Sequence, residues 1–286
     1  MESFATVCVG LACFAAGAET VRWALSPLSI KQTNGRKQHV EGMYWGLVFL
    51  FAFALEVKGF ISPTSFVVLG AVAFVRFFGT KHEANHVHFL PTMTDHVLQW
   101  GHRFLDIPAS PFEMCQDDLT DCHKGHHKAW MPNSTYPDPD AYMTQSWWPI
   151  GLLHCIFESE QAMPRHVWET KGKTLGRSIV WAVYKSLWLY AVWYYTGWEH
   201  LKLWLLACRI ANGGGLFIFH NLLHKEPVYS DGLPFASNVP SLFSFAWRVI
   251  LGEDLLNAVV YHKHHHHHPI VPVEALDVAS PKKNVK

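Results

Sequence analysis

Charge is scarce in this 286-residue chain: Asp, Glu, Lys and Arg make up 16% of it, against roughly a quarter in an ordinary soluble domain. Apolar residues fill the gap at half of the sequence, with 13 Trp among them, which points toward lipid. The 23 basic and 23 acidic residues cancel, so no net field recruits nucleic acid or an acidic partner. Cysteine is sparse and unpatterned. The six, at 8, 13, 115, 122, 155 and 208, include no Cys-x-x-Cys, which argues against a zinc ribbon and a disulfide framework. They read as reduced thiols packed as small apolar groups. There is no repeat at solenoid period and no low-complexity linker.

Long apolar runs, by contrast, are plentiful. Crossing a bilayer takes about 20 mostly apolar helical residues. Four stretches approach this: Met43–Phe60, Ser62–Phe78, Ile179–Trp198 and Leu201–Phe219. Each pair is separated by a very short turn, so each pair reads as a helical hairpin. The alternative is a set of core helices in a soluble protein. Arg22, Lys31, Arg36 and Lys37 precede the first stretch, whereas the hairpin turns carry only Lys58 and Lys202. By the positive-inside rule the N-terminus is cytoplasmic, and the loop 79–177 and everything after His224 share that side. Phe4–Ala18 is apolar but short and lacks a basic leader, so we read it as an interfacial or packing helix. The chain divides into an N-terminal segment 1–42, a membrane catalytic domain 43–270 and a polar tail 271–286.

Histidine is the anomaly, with 20 residues clustered in four places. His82-Glu83-Ala84-Asn85-His86 sets two imidazoles one helical turn apart, with His88 close enough to compete with His86. His123-Lys124-Gly125-His126-His127 puts His123 over both partners on one helix face. Asp138-Pro139-Asp140 follows; such carboxylates can accept the second imidazole N–H and fix its tautomer, though the same tripeptide also suits an ordinary turn. Tyr261-His262-Lys263 leads into the five-histidine run 264–268 and then Pro269. The run permits several registers, and His262, His265 and His266 repeat the spacing of the second box. His220-Asn221-Leu222-Leu223-His224 ends the fourth apolar stretch, where ionisable groups are functional suspects. Gly213-Gly214-Gly215 just before it would let that helix approach a neighbour closely.

These boxes resemble those of the membrane fatty acid desaturase–hydroxylase superfamily. The matches are His82-Glu83-x-x-His86, His123-x-x-His126-His127 with Asp138-Pro139-Asp140, and Tyr261-His262-x-x-His265-His266-x-x-Pro269, over residues 43 to 270. The resemblance implies an all-α integral membrane protein of four transmembrane helices in two hairpins, with a cytoplasmic helical cap holding a di-iron site. Its ligands would be His82, His86, His123, His126, His127, His224, His262, His265 and His266. His220 stands where many members have an Asn acting through water, which leaves its direct ligation open. Glu83, Asp138, Asp140 and Asn221 are candidates to orient the ligands. Nine or ten imidazoles suit two ions rather than one. Imidazole serves iron, zinc, copper and nickel alike, but oxidising an unactivated C–H bond excludes redox-silent zinc.

The expected activity is an O2-dependent oxidation of an acyl chain carried on CoA, acyl-carrier protein or a membrane lipid, with desaturation the first reading. Hydroxylation, acetylenation, ketone formation and oxidative decarboxylation use the same kind of cage. The expected location is the endoplasmic reticulum or a bacterial inner membrane. Neither a His-Pro-Gly-Gly haem motif nor ferredoxin-like Cys spacing occurs, so a separate cytochrome b5 or ferredoxin would deliver electrons. A His-rich metal transporter is the rival of another class. Transporters carry ionisable ligands inside their spans, and here the histidines lie at or beyond the ends of the apolar stretches.

Overall fold

The computed structural model describes residues 10, 13–14, 16–17, 35–86, 93–226, 228–231 and 241–268. The tail 271–286, most of the N-terminal segment, His88 and Pro269 therefore lie outside the described residues. Every regular element among the described residues is helical.

Helix α1 (Gly35–Val57) and helix α2 (Pro63–Ala84) form the first hairpin. The turn between them has local chemical causes. Gly59 takes φ 72°, and the amides of Gly59 and Phe60 donate to the carbonyls of Glu56 and Leu55, closing α1 in a Schellman-type cap. Ser62 caps α2, accepting from the Ser65 amide at 3.1 Å, and Pro63 occupies the first helical position, where its missing N–H costs nothing. After the second hairpin partner, α3 (Met93–Phe104), α4 (Gln116–Ala129), α5 (Trp148–Ile156) and α6 (Glu158–Glu169) fill the long loop. Helix α7 (Leu175–Thr196) and α8 (Trp198–Ala211) form the second hairpin about Gly197. Helix α8 continues into a π-helical segment (Asn212–Asn221) and a 3-10 turn (Leu222–His224). Helices α9 (Ser241–Val260) and α10 (His262–His267) close the described chain.

Among the described residues, three segments are long and apolar enough to cross a membrane: Lys37–Val57, Pro63–Ala84 and Trp198–His224. The expected third span, Ile179–Trp198, folds as α7 and is not among them. At 22 residues α7 is about 33 Å long, but its Trp and Tyr make it less apolar. Tyr190, Trp193, Tyr194 and Tyr195 face outward at its end, a placement typical of the membrane–water interface.

The core lies between α1, α2, α8 and α9. Phe49 and Phe53 meet Trp204 edge-on at 4.7 and 5.0 Å between ring centroids, a favoured aromatic geometry. The Trp204 indole N–H donates to the Pro108 carbonyl at 2.9 Å. Small residues set the spacing: a Cβ on Gly70 would stand 3.1 Å from the Ala207 methyl. Of the three consecutive glycines, Gly215 faces Val75 and Gly213 faces Ile156, while Gly214 faces open space. Before α1, Phe14 packs on this core, and Tyr44 Oη donates to the Phe14 carbonyl at 2.7 Å.

Basic side chains within the long helices are partnered. Arg76 reaches Glu41 at 3.3 Å, stacks over Trp45 and donates to the Arg248 carbonyl at 3.0 Å. Lys185, fully buried, joins Glu113 at 2.8 Å and Asp106 at 3.2 Å, and Lys81 reaches Asp106 at 2.9 Å. Arg209 pairs with Glu160. These contacts tie α2 to α1 and α9, α2 and α7 to the segment between α3 and α4, and α8 to α6.

Candidate metal centre

Four segments deliver nine imidazoles to one buried region. The end of α2 and its closing turn supply His82 and His86. Helix α2 stops at Ala84, and the amides of Asn85 and His86 bond back to His82 and Glu83 at 3.0 Å each, so the last turn tightens without turning His86 away. Helix α4 supplies His123, His126 and His127, the 3-10 turn His224, and α10 His262, His265 and His266. Asn85 holds the first two segments together, accepting from Gln116 at 2.5 Å and Thr120 at 2.8 Å.

The imidazoles divide into two adjoining sets. In the first, His82, His86, His123, His127 and His265 bring one ring nitrogen each to within 4.8 Å of one another. In the second, His126, His224 and His266 do the same, and His262 joins them, its Nε2 3.2 Å from His224 and 3.1 Å from His266. The split explains the box spacing. On α4 the i,i+4 pair His123 and His127 serves the first set and His126 the second. On α10 the assignment is reversed: His262 and His266 serve the second set and His265 the first. An i,i+4 pair shares one face, and the residue three after its first member is displaced sideways around the helix, enough to reach the neighbouring set.

Burial distinguishes the members of the five-histidine run. His262, His265 and His266 are buried, whereas His268 is exposed and its ring lies tilted against that of His264, 4.5 Å between centroids.

These nitrogens fit a metal better than they fit one another. The Nε2 separations are 2.9 Å for His86–His123, 3.0 Å for His123–His127, 3.1 Å for His126–His224 and 3.2 Å for His224–His266. Two donors at right angles on a coordination sphere of about 2.1 Å lie about 3.0 Å apart. His224, His262 and His266 form a closed triangle of such contacts. A ring N–H points in one direction, so hydrogen bonding does not satisfy all three sides. A cation facing the triangle takes all three lone pairs. His265, 1% exposed, has no hydrogen-bond partner on either nitrogen among the described residues. Burial holds His123, His127, His262, His265 and His266 well below the ordinary histidine range, so they are neutral and free to ligate.

Carboxylates orient the rings from behind. His82 Nδ1 lies 2.8 Å from Glu83 Oε1. His126 Nδ1 lies 2.9 Å from Asp138 Oδ1, and Asp140 is 3.8 Å away. Burial alone would lower the His126 pKa, but the hydrogen bond to Asp138 and the charges of Asp140 and Asp138 outweigh it and raise it. Burial likewise opposes ionisation of Asp138, yet His126, Thr144 and Trp130 hold its pKa down at about 2. This is the carboxylate–histidine arrangement that fixes which nitrogen faces a metal.

His220 and Asn221 are placed differently. The wide π segment gives way to a tight 3-10 turn, and His224 turns into the second set while His220 stays behind it, 3.9 Å from Asp140. Asn221 does not meet the imidazoles. Its amide donates to the carbonyls of Met143 and Ser146 at 2.7 and 3.1 Å, fastening the π segment to the loop after Asp140. Sequence reasoning missed Trp130 and Tyr229. Trp130 donates to Asp138 at 2.9 Å and packs on His224 at 4.6 Å, and Tyr229 packs on Trp130 at 4.8 Å. Trp130 stands four residues after His126, which was a usable signal; Tyr229 carries none.

A small pocket borders His82, His123 and His220. A second adjoins it, sharing Phe78, Met114, Leu119 and Leu216, and runs toward Phe74, Lys81 and Asp106. Comparison with protein-family models, with curated proteins and with solved structures gives no match.

Proposed function

We propose that this chain is a membrane-embedded di-iron oxidase of the fatty-acid-desaturase type, acting on unactivated C–H bonds of an acyl chain. The observation that carries the reading is the convergence of nine imidazoles in two adjoining sets, with nitrogens 2.9–3.2 Å apart, at the ends of apolar helices. In this reading α1, α2, α7 and the α8–π segment span the bilayer as two hairpins. The N-terminus and the histidine cluster face the cytoplasm, in the endoplasmic reticulum or a bacterial inner membrane.

Two bound irons would supply the redox chemistry that turns O2 against a C–H bond, which zinc lacks. For desaturation the balance is –CH2–CH2– plus O2, two electrons and two protons, giving –CH=CH– and two waters. The chain's own part is to hold and to exclude. His82, His86, His123, His127 and His265 would hold one ion, and His126, His224, His262 and His266 the other. Glu83 and Asp138 keep the ring N–H groups turned outward. The pocket beside His82 and His123 would mark the side from which a substrate carbon approaches the cluster. The electrons come from a separate donor of cytochrome b5 or ferredoxin type on the cytoplasmic face. The acyl chain arrives on CoA, acyl-carrier protein or a lipid. Hydroxylation and the other oxidations would use the same cage with the substrate carbon differently placed.

The test is metal content and turnover in the same preparation. Protein from iron-replete cells should hold two irons per chain and consume O2 with an acyl substrate and a reduced donor. One metal per chain in fully loaded protein, or turnover indifferent to His123→Ala and His265→Ala, would sink the reading. Zinc in overexpressed protein would not, because zinc occupies imidazole sites opportunistically.

A further inference from the structure

The long loop between the hairpins carries one stretch that does not suit water. From Ala141 to Phe157 it has no Asp, Glu, Lys or Arg, and α5 lies within it. One side of α5 packs inward, where Cys155 meets Met143 and Leu216. The other side is open. Trp147, Ile150, Leu153 and Phe157 recur there at helical spacing and are 68, 48, 56 and 48% exposed. A contiguous apolar surface of this kind marks contact with a membrane or a protein partner. At nine residues α5 is about 13 Å long, too short to cross a hydrocarbon core of about 30 Å.

The position of α5 decides between the two. It runs antiparallel to the second half of the apolar segment Trp198–His224. A Cβ on Gly213 would stand 3.0 Å from Ile156, and one on Gly151 would strike the Asn221 side chain. Arg209 fastens the join, donating to the Ile156 carbonyl at 2.8 Å with its guanidinium over the Phe157 ring. Leu206 and Ile210, which flank Arg209, are 46 and 50% exposed, so the open face of α8 continues through this join onto α5. Measured from the turn at Gly197, Gly213 stands about 24 Å along one helix and Ile179 about 27 Å along the other. At that level α7 also exposes Ile179 and Val180. We propose that α5 is seated in the leaflet on the histidine side, where phospholipid acyl chains cover Ile150, Leu153 and Phe157. Trp147, at the end of α5 nearer His224, then lies at headgroup level, where Trp is favoured. The proposal rests on reading α8 and its π segment as a membrane span, and not on any chemistry at the histidines. The lipid that faces α8 reaches α5 without a break, whereas a protein partner would need a surface of its own to fit there.

The experiment places single cysteines in the full-length protein in phosphatidylcholine nanodiscs, which leave both membrane faces open to a water-soluble maleimide. Leu153→Cys probes α5, Leu206→Cys the span, and Lys173→Cys the exposed turn before α7. Labelling is read peptide by peptide, so the native cysteines do not interfere. We expect Leu153→Cys and Leu206→Cys to react at least about ten-fold more slowly than Lys173→Cys, because a thiol in apolar surroundings has a raised pKa and each unit cuts the thiolate ten-fold. Wild type in vesicles of phosphatidylcholine with a diazirine on the acyl chain should then take the photolabel on both α5 and α8. Leu153→Cys as fast as Lys173→Cys, with Leu206→Cys slow, would overturn the proposal and leave the span standing. If Leu206→Cys is fast as well, the spanning reading falls and the proposal with it. A slow Leu153→Cys beside an α5 that takes no photolabel, while α8 does, would mean that protein rather than lipid covers the face, and would also overturn it.

Discussion

If the two histidine sets each hold an iron, as proposed, Asp138→Asn should cost the protein one of the two and spare the other. Asp138 contacts a single imidazole, His126, and that imidazole belongs to the second set alone. Both side chains are almost fully buried, at 3% and 2% exposure, and the bond is 2.9 Å long. A buried hydrogen bond to a charged group is worth about 1.5–3 kcal/mol, and loss of such an orienting partner weakens metal binding by roughly 10–100-fold. The carboxylate also accepts from Trp130 at 2.9 Å, Thr144 at 2.7 Å and the Asp140 amide at 2.8 Å. Asn keeps the shape but replaces one accepting oxygen with an NH2. If that NH2 faces Trp130, two donors collide while the Thr144 hydroxyl rotates to accept. If it faces His126, the ring must move its proton to Nε2, which blocks ligation. The assay is iron stoichiometry under a graded chelator. Wild type should release two irons late, and Asp138→Asn should release one early and keep one. Trp130→Phe removes the colliding donor, so added to Asp138→Asn it should restore part of the lost affinity. Iron released from Asp138→Asn as from wild type, or both irons lost together, would refute the assignment of His126 to a set of its own.

Three further outcomes follow from the geometry. His265→Ala should abolish turnover and deplete iron, while His264→Ala and His268→Ala, whose rings lie against each other, should keep both; inactive His264→Ala beside active His265→Ala would mean that α10 is rotated. Gly252 and Gly197 both sit at φ near 80° with extended ψ, a region that costs other residues about 1–3 kcal/mol. Only at Gly252 would a Cβ strike the Arg76 guanidinium, so Gly252→Ala should lower the melting temperature more than Gly197→Ala, and equal shifts would show that Arg76 yields freely. Burial opposes ionisation of Asp106, but the charges of Lys185 and Lys81 outweigh it and hold its pKa down at about 2, below the usual carboxylate range. A depressed carboxyl contributes stability above its unfolded pKa, here about 2 kcal/mol, that is lost as pH falls from about 4 toward 2; melting curves of wild type and Asp106→Asn should converge over that window, and a constant gap would contradict the pairing.

The readable part of this protein was whatever has a short period. His123-x-x-His126-His127 and His262-x-x-His265-His266 mark helix faces within two turns, so the residues of each box were legible without a fold. The hairpins were legible for the same reason, since Gly59, Ser62 and Pro63 carry their turn chemistry locally. What spacing did not show is the crossing of the boxes. That His127 sits with His265 while His126 sits with His266 depends on how α4 and α10 pack, and no single segment encodes it. The π segment was equally hidden. A regular helix would put His220 and His224 on one face, and the change of pitch at Asn221 separates them.

The same distinction bears on what the boxes can say about chemistry. The second set has an oriented ligand, His126 with Asp138, on a carboxylate that Trp130, Thr144 and a backbone amide all hold in place. The first set has His82 with Glu83, the adjacent residue in the chain. The Asp138 carboxylate is thus held by three donors besides the ring that it orients, which leaves His126 little freedom to turn. A pocket opens beside His82 and His123 of the first set, so on the proposed reading the first set is the one expected to meet a substrate.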